Sequence, residues 1–235
     1  MLRALLVAVF CLTALIAEAA VRVSPVLIDL RAPASTATLT LKNDDRRTIE
    51  VQIRIFRWSQ RAGEEHLEPT QDAVVSPPFT ALAPNAEYVV RVVRVSPRPV
   101  TAEESYRVVV DEIPDRRVKS DGVHFVLRYS IPVFFSPSQA GESRVAWRAE
   151  PVAGGIVVSA ENTGTRRLRI ANLRLVDARG KQLVLREGLV GYVLAGSVMR
   201  WSLPGPAVRA GEALRLLAES DARPVDATLK LQPLR

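Results

Sequence analysis

From residue 123 to residue 133 the chain places an apolar side chain at every second position: Val123, Phe125, Leu127, Tyr129, Ile131 and Val133. Alternate side chains of an extended strand share one face, so these residues form a single apolar ridge, with Arg128, Ser130 and Pro132 on the opposite face. Pro132 has no N–H to give to a ladder, which argues for an edge strand or a strand end over a central strand paired on both sides. A long apolar strand near a sheet edge is a template for another chain, and a hazard unless a partner uses it. On this segment alone the plainer reading, an inward-facing strand of an ordinary sandwich, stays open.

The same two-residue rhythm runs through the rest of the chain. Residues 36–42 alternate Ala37, Leu39 and Leu41 against threonines, and residues 49–58 carry Ile49, Val51, Ile53 and Ile55 on one face. Asn43-Asp44-Asp45 reads as a turn, and residues 60–70 read as a charged loop. With the opening segment and the stretches 88–95 and 105–110, about seven short strands precede residue 137, as in an immunoglobulin-like sandwich. Residues 136–141 have linker composition. A second strand series follows, with turns at 162–164 and 177–180 and with Leu168, Ile170 and Asn172 alternating against Arg167, Arg169 and Ala171. No segment shows a helical apolar stripe. The expected organisation is all-β, with one domain over 20–137 and a smaller β-sandwich over 138–235.

Residues 1–19 read as a cleaved secretory leader: Arg3 is its positive end, an apolar run follows, and Ala17-Glu18-Ala19 supplies an A-x-A cleavage site. Cys11 is the single cysteine and leaves with that leader, so the exported chain has no disulfide and its stability comes from packing. The formal net charge is +7, but the basic residues are spread in short clusters such as Arg116-Arg117 and Arg166-Arg167. That pattern lacks the concentrated stripe with interleaved aromatics that nucleic acid requires. His66 and His124 have no metal-ligand spacing, and there is no phosphate-binding glycine loop and no G-x-S-x-G elbow. Paired acids occur at Glu64-Glu65 and Glu103-Glu104, but charge pairs in loops are usually solvated. The expectation is therefore no enzyme, no cofactor, no metal, no nucleic acid and no membrane insertion.

Ser105-Tyr-Arg-Val-Val-Val-Asp-Glu-Ile-Pro114, followed by a strand ending in Pro132-Val-Phe-Phe-Ser-Pro137, resembles the periplasmic chaperones of the chaperone–usher pilus pathway. Val21-x-Val-Ser-Pro25, Ser76-Pro-Pro-Phe79 with Leu82-x-Pro84, Val90-Arg-Val92 and Ala160-Glu-Asn-Thr-Gly164 match that family in order and spacing. Tyr192-Val-Leu-Ala-Gly-Ser197 and Trp201-Ser-Leu-Pro204 are similar to its archaic branch, associated with spore-coat-U-like subunits. The resemblance covers about residues 21–232. It implies two immunoglobulin-like domains set in an L, and a periplasmic chaperone that stabilises pilin subunits by donor-strand complementation before delivery to an outer-membrane usher.

The resemblance also implies site residues. Val123, Phe125 and Leu127 fall on the family's donor positions, with Tyr129 and Ile131 continuing the ridge. The family's usual carboxylate anchors, an Arg in the first strand and a Lys in the donor strand, correspond here to Leu27 and Pro132, which cannot bind a carboxylate. Arg107 is the expected replacement, with Arg128 second. A buried interdomain charge cluster is expected from Arg91, Glu103 and Asp221, with Glu219 as the alternative to Asp221. Whether free chains cap their exposed strand as a dimer stays open. A different class of function, a secreted sandwich that binds glycan or mediates adhesion, remains the alternative; it calls for an aromatic platform on loops.

Overall fold

The computed structural model describes residues 21–114, 126–139 and 141–231. The expected leader over 1–19, the loop over 115–122, and Val123 and Phe125 lie outside the described residues. What is described is all-β, with seventeen strands and no helix. In the N-terminal half, β1 (Val21–Ser24), β3 (Thr36–Asn43), β8 (Glu87–Arg94) and β6 (Ala73–Ser76) form one sheet in that order. The facing sheet runs β2 (Ile28–Arg31), β10 (Arg128–Ser136), β9 (Glu104–Ile113), β4 (Ile49–Arg61) and β5 (Glu64–Pro69), with β7 (Phe79–Leu82) also on β4. Alternation does the work expected of it. Leu39 and Leu41, Val90 and Val92 from one sheet meet Val51 and Ile53, Val108 and Val110 from the other in a single core.

The C-terminal half repeats the plan with β11 (Val145–Val152), β12 (Gly155–Asn162) and β15 (Val198–Pro204) against β14 (Gln182–Val193), β13 (Leu168–Asp177), β16 (Ala213–Glu219) and β17 (Val225–Lys230). Its core joins Ile156 and Val158 to Leu173, Leu175, Leu214 and Leu216. The simple alternation expected along 168–176 breaks at bulges in the β13–β14 ladder around Ala171. Asn172 takes a positive φ of 49°, and its Oδ1 accepts the Gly188 N–H at 2.7 Å. The extra residue resets which parity faces inward, so Leu173 and Leu175 are buried where Asn172 was expected to continue the ridge.

Both halves close the end of a central strand with the same device. Buried Asn43 donates from Nδ2 to Arg47 O at 2.7 Å and Leu82 O at 2.9 Å, and accepts the Asp45 N–H at 2.8 Å. Asn162 donates to Arg166 O at 2.8 Å and Val193 O at 3.2 Å, and accepts the Gly164 N–H at 2.9 Å. Each amide holds its own turn and ties it to a distant strand, leaving no buried polar group unpaired there.

Residues 60–70 are a hairpin arm rather than a loop: β4 runs out to Arg61, turns at Ala62 and Gly63, and returns as β5. The arm shows little apolar alternation because most of β5 is exposed. It reaches the other domain. The Gln60 side chain donates to Tyr192 O at 2.8 Å and accepts the Leu194 N–H at 2.9 Å, and Gly63 O accepts the Arg200 N–H at 3.2 Å. Beneath the arm, Trp58 and Phe134 pack with Tyr192 and Leu194 in a separate apolar cluster between the two halves.

A buried ion cluster completes this joint, and its membership differs from expectation. The Glu103 and Arg167 side chains are both 1% exposed. Arg167 donates from Nη1 to Glu103 Oε2 at 2.5 Å and from its backbone N–H to Glu103 Oε1 at 2.9 Å. Its Nη2 reaches Asp29 Oδ2 at 2.6 Å, and Arg166 contacts the same oxygen at 3.3 Å. Glu103 is the one member anticipated. Arg91 is exposed on β8, opposite Thr38 and Ser76, because Val90 and Val92 on either side of it take the inward positions. Asp221 sits exposed between β16 and β17; it borders a surface cavity with Arg166 and Arg167 but pairs with neither. Glu219 is likewise exposed, at the end of β16. The cation comes instead from the β12–β13 turn, which passes directly over Glu103.

Arg167→Met leaves the Glu103 carboxylate buried with its principal cation gone, and should cost about 3–5 kcal/mol in denaturant unfolding. Adding Glu103→Gln should recover most of that loss; a double variant no more stable than the single one contradicts the assignment. A second ion cluster gives a pH signature. Asp111 on β9 is bonded by Arg128 of β10 and, at 2.6 Å, by Arg54 of β4. Burial pushes its carboxyl up, but the hydrogen bonds from Arg128 and Arg54 outweigh that and leave it below the ordinary carboxylate value. A carboxyl depressed by folding stabilises fully above its unfolded pKa, about 3.9, and stops doing so as pH falls through its folded value. Asp111→Asn should therefore lower the melting temperature at neutral pH, with a gap to wild type that closes as pH drops below about 4.

Candidate functional site

The strand carrying the apolar ridge is paired differently on its two sides. On one side β9 follows β10 from Arg128 to Phe135. On the other side β2 runs parallel to it only from Val133 to Ser136. The Glu112 N–H donates to Leu127 O at 3.1 Å, which sets the parity of the antiparallel ladder. Backbone groups of Leu127, Tyr129 and Ile131 point toward β9, and those of Arg128, Ser130 and Pro132 point to the side β2 leaves uncovered. The open edge ends where Pro132 removes a donor and β2 takes over.

The ridge itself divides. Ile131 is 3% exposed and Val133 and Phe135 are buried, all within the N-terminal core. Ile131 therefore belongs to the chain's own sandwich and is not free for a partner, a correction to the expected donor set: β10 turns inward once β2 flanks it. Tyr129 is transitional. It packs against that core, and its hydroxyl donates to Val21 O of β1, drawing together the margins of the two sheets. Burial, then the charge of Glu112, raises its pKa. A cavity of about 460 Å³ opens beside it, lined by Val23, Ser24, Thr40 and Lys42 among others. Leu127 is half-buried, and Val126 is 48% exposed. Among the described residues, the ridge is available to a partner only from Leu127 toward the N-terminus.

Two cations were expected beside this edge. Arg128 is already engaged, since its Nε bonds to Asp111. Arg107 is not matched in the same way. It lies opposite Pro132 on β9, and its side chain is 14% exposed. Its guanidinium lies over Trp58, 3.8 Å from the ring centroid, and 6.0 Å from the centroid of Tyr192. Nη1 donates to Ser130 O, a carbonyl of the open edge, at 3.4 Å, and Nη2 is 3.7 Å from Glu65 Oε2. Burial lowers its pKa, with Glu65 and then Tyr192 partly offsetting the effect. A desolvated guanidinium with five N–H groups and, among the described residues, one long hydrogen bond has unused capacity for a carboxylate.

Leu27 stands just before β2 and is 36% exposed, so the apolar pair Leu27 and Pro132 lies at the end of the open edge and Arg107 supplies the positive charge there. Gln60 and Asp29 carry no mark in the sequence, and Tyr192 stands out there only as the start of a family-like motif. Arg167 did stand out in a basic cluster, but no local pattern ties it to Glu103. The tryptophans form no platform: Trp58 and Trp201 are buried, and half-buried Trp147 lies 6.4 Å from Trp201. No group of His, Cys, Asp and Glu among the described residues is arranged to hold a metal ion.

The family model for pili and flagellar-assembly chaperones, PapD N-terminal domain, matches residues 20–141. No curated protein matches the chain. Among solved structures, a chain of the CsuC–CsuE chaperone–tip adhesion subunit pre-assembly complex, from archaic chaperone–usher Csu pili of Acinetobacter baumannii, superposes with a TM-score of 0.68 at 19% identity, covering 92% of this chain and 100% of its own. The CupB2 chaperone of Pseudomonas aeruginosa gives 0.57 at 20% identity, over 89% of this chain and 100% of its own. A chain from the SafA pilin–SafB chaperone complex of Salmonella enterica gives 0.60 at 18% identity, over 89% and 96%. At these identities the structural likeness speaks for the fold; the family model spans more than half of the sequence, and on that match the chain belongs to the family of pili and flagellar-assembly chaperones.

Proposed function

We propose that this chain is a periplasmic chaperone for pilin-type subunits that lack a strand, acting by donor-strand complementation and handing them to an outer-membrane usher. The observation that carries this reading is the half-open β10. Its outward backbone groups at Arg128 and Ser130 are unpaired by β2, the strand ends its open run at a proline, and Arg107 reaches the open edge there. Similar folds occur in complexes whose other members are a tip adhesion subunit and the SafA pilin, which supports the partner class.

The donated face then comprises Val123, Phe125 and Leu127, with Tyr129 at its limit. Each large apolar side chain buried in a partner's groove stabilises by roughly 1.5–3 kcal/mol, so three give on the order of 5–9 kcal/mol before the costs of association. That is enough to hold an incomplete subunit without a chemical energy source, and small enough for a competing strand to displace it. Ile131 and Val133 keep the donor end rooted in the chaperone's own core. Arg107 anchors the terminal carboxylate of the bound strand, and the ion cluster of Glu103, Arg167 and Asp29 keeps the two domains in register around it. The alternative of a glycan-binding module has less support, since both buried tryptophans are consumed by packing.

Co-expression with a strand-deficient subunit tests this reading. Leu127→Glu should leave the melting temperature nearly unchanged, because Leu127 lies outside the N-terminal core, yet should abolish recovery of the complex. Normal recovery of subunit with this variant refutes the donor assignment. Arg107→Ala should weaken the complex by about 10-fold or more, the worth of a charge-assisted hydrogen bond in a half-dry site. Unchanged affinity, measured by titration of purified subunit displaced from the wild-type complex, removes Arg107 as the anchor.

A further inference from the structure

Arg107 is a cation in a desolvated place, and such a group requires a counter-charge. Asp111 cannot serve, since Arg54 and Arg128 already hold it. Glu65 is the carboxylate that stands near, and three features mark its contact as loose. Its Oε2 is 3.7 Å from Arg107 Nη2, and no hydrogen bond joins the two. The Glu65 side chain is 39% exposed while that of Arg107 is 14% exposed, so the anion sits at the rim and the cation inside. Glu65 also lies on β5 directly opposite Gln60, in the arm held to the C-terminal domain through Tyr192 and Leu194. The arm thus delivers a carboxylate to Arg107 without locking it there.

We propose, building on the anchor reading, that Glu65 is a displaceable counter-ion that neutralises Arg107 while the edge is empty and yields it to the terminal carboxylate of a bound strand. Two carboxylates sharing one guanidinium repel each other, so the arriving terminus must push Glu65 outward into water, where it is readily solvated. Glu65 therefore sets how strongly the chaperone prefers a strand ending in a free carboxylate. It also offers Arg107 a ready partner when the subunit leaves. Trp58 and Tyr192 hold the guanidinium in place throughout, which is why exchange of the anion does not require the cation to move.

The test uses the purified full chain and one probe in two forms: a short N-acetylated strand peptide alternating valine with threonine, ending in a free carboxylate or in an amide. The readout is the ratio of the two affinities. Glu65→Gln should raise the wild-type ratio by about 2- to 5-fold, the range expected for a partly exposed ion pair, through tighter binding of the carboxylate form alone. Glu65→Asp, which retains the charge, should stay close to wild type. An unchanged or lowered ratio for Glu65→Gln, or an equal gain for the amide form, overturns the counter-ion role. Arg107→Met separates the two ideas: it should bring the ratio to unity if Arg107 is the anchor. A ratio that survives Arg107→Met, or a wild type that does not distinguish the peptides, refutes the anchor and the counter-ion together.

Discussion

β2 pairs with β10 only from Val133 onward, and the rest of the molecule is arranged around that limit. The first strand segment, β1, belongs to the opposite sheet, so the chain crosses between sheets before β2 begins and, among the described residues, leaves the preceding part of β10 without a neighbour on that side. Sheet edges are ordinarily blunted because their backbone groups recruit other chains. Here the edge is kept but bounded. Pro132 ends the row of donors, Tyr129 ties the open corner to Val21, and Ile131, Val133 and Phe135 hold the strand in the core. One strand can then be rigid at one end and available at the other.

Beside this edge the second domain is tied to the first in one arrangement. Three different interactions supply that. The aromatic cluster of Trp58, Phe134 and Tyr192 gives apolar contact, the Gln60 amide satisfies two backbone groups across the joint, and the Glu103–Arg167–Asp29 cluster adds charge. A buried ion cluster is a poor source of net stability but penalises any arrangement that separates its members. Trp58 and Tyr192 of that cluster also support Arg107, so this poorly matched cation is held by residues of both domains.

Much of this is legible in the sequence. Alternating valines, leucines and isoleucines marked the strands and their inward faces, Asn43 and Asn162 marked the turns, and Pro132 marked the limit of the open edge. The misses have one character. Residues 60–70 looked like a loop because an arm exposed to water needs no apolar alternation. The ridge along β13 was extended to Asn172 because a bulge moves every later side chain to the other face and leaves no local sign. Arg91 and Asp221 were assigned to the joint in place of Arg167 and Asp29, since a charge partner 64 residues away has no spacing rule.

By itself, then, the sequence determined what depends on the backbone period and on local turn chemistry: an all-β chain in two sandwiches, a strand with an apolar face, a proline at its critical point, and membership of a chaperone family. The strands, turns and proline follow from a few consecutive residues, because side chains in a strand alternate whatever else the chain does, and the family follows from the order of motifs along the chain. Only the tertiary structure decided which half of the apolar ridge the molecule keeps for itself, which arginine is left poorly matched, and which carboxylate waits beside it. Those outcomes depend on where distant strands end against one another, and no local period encodes that.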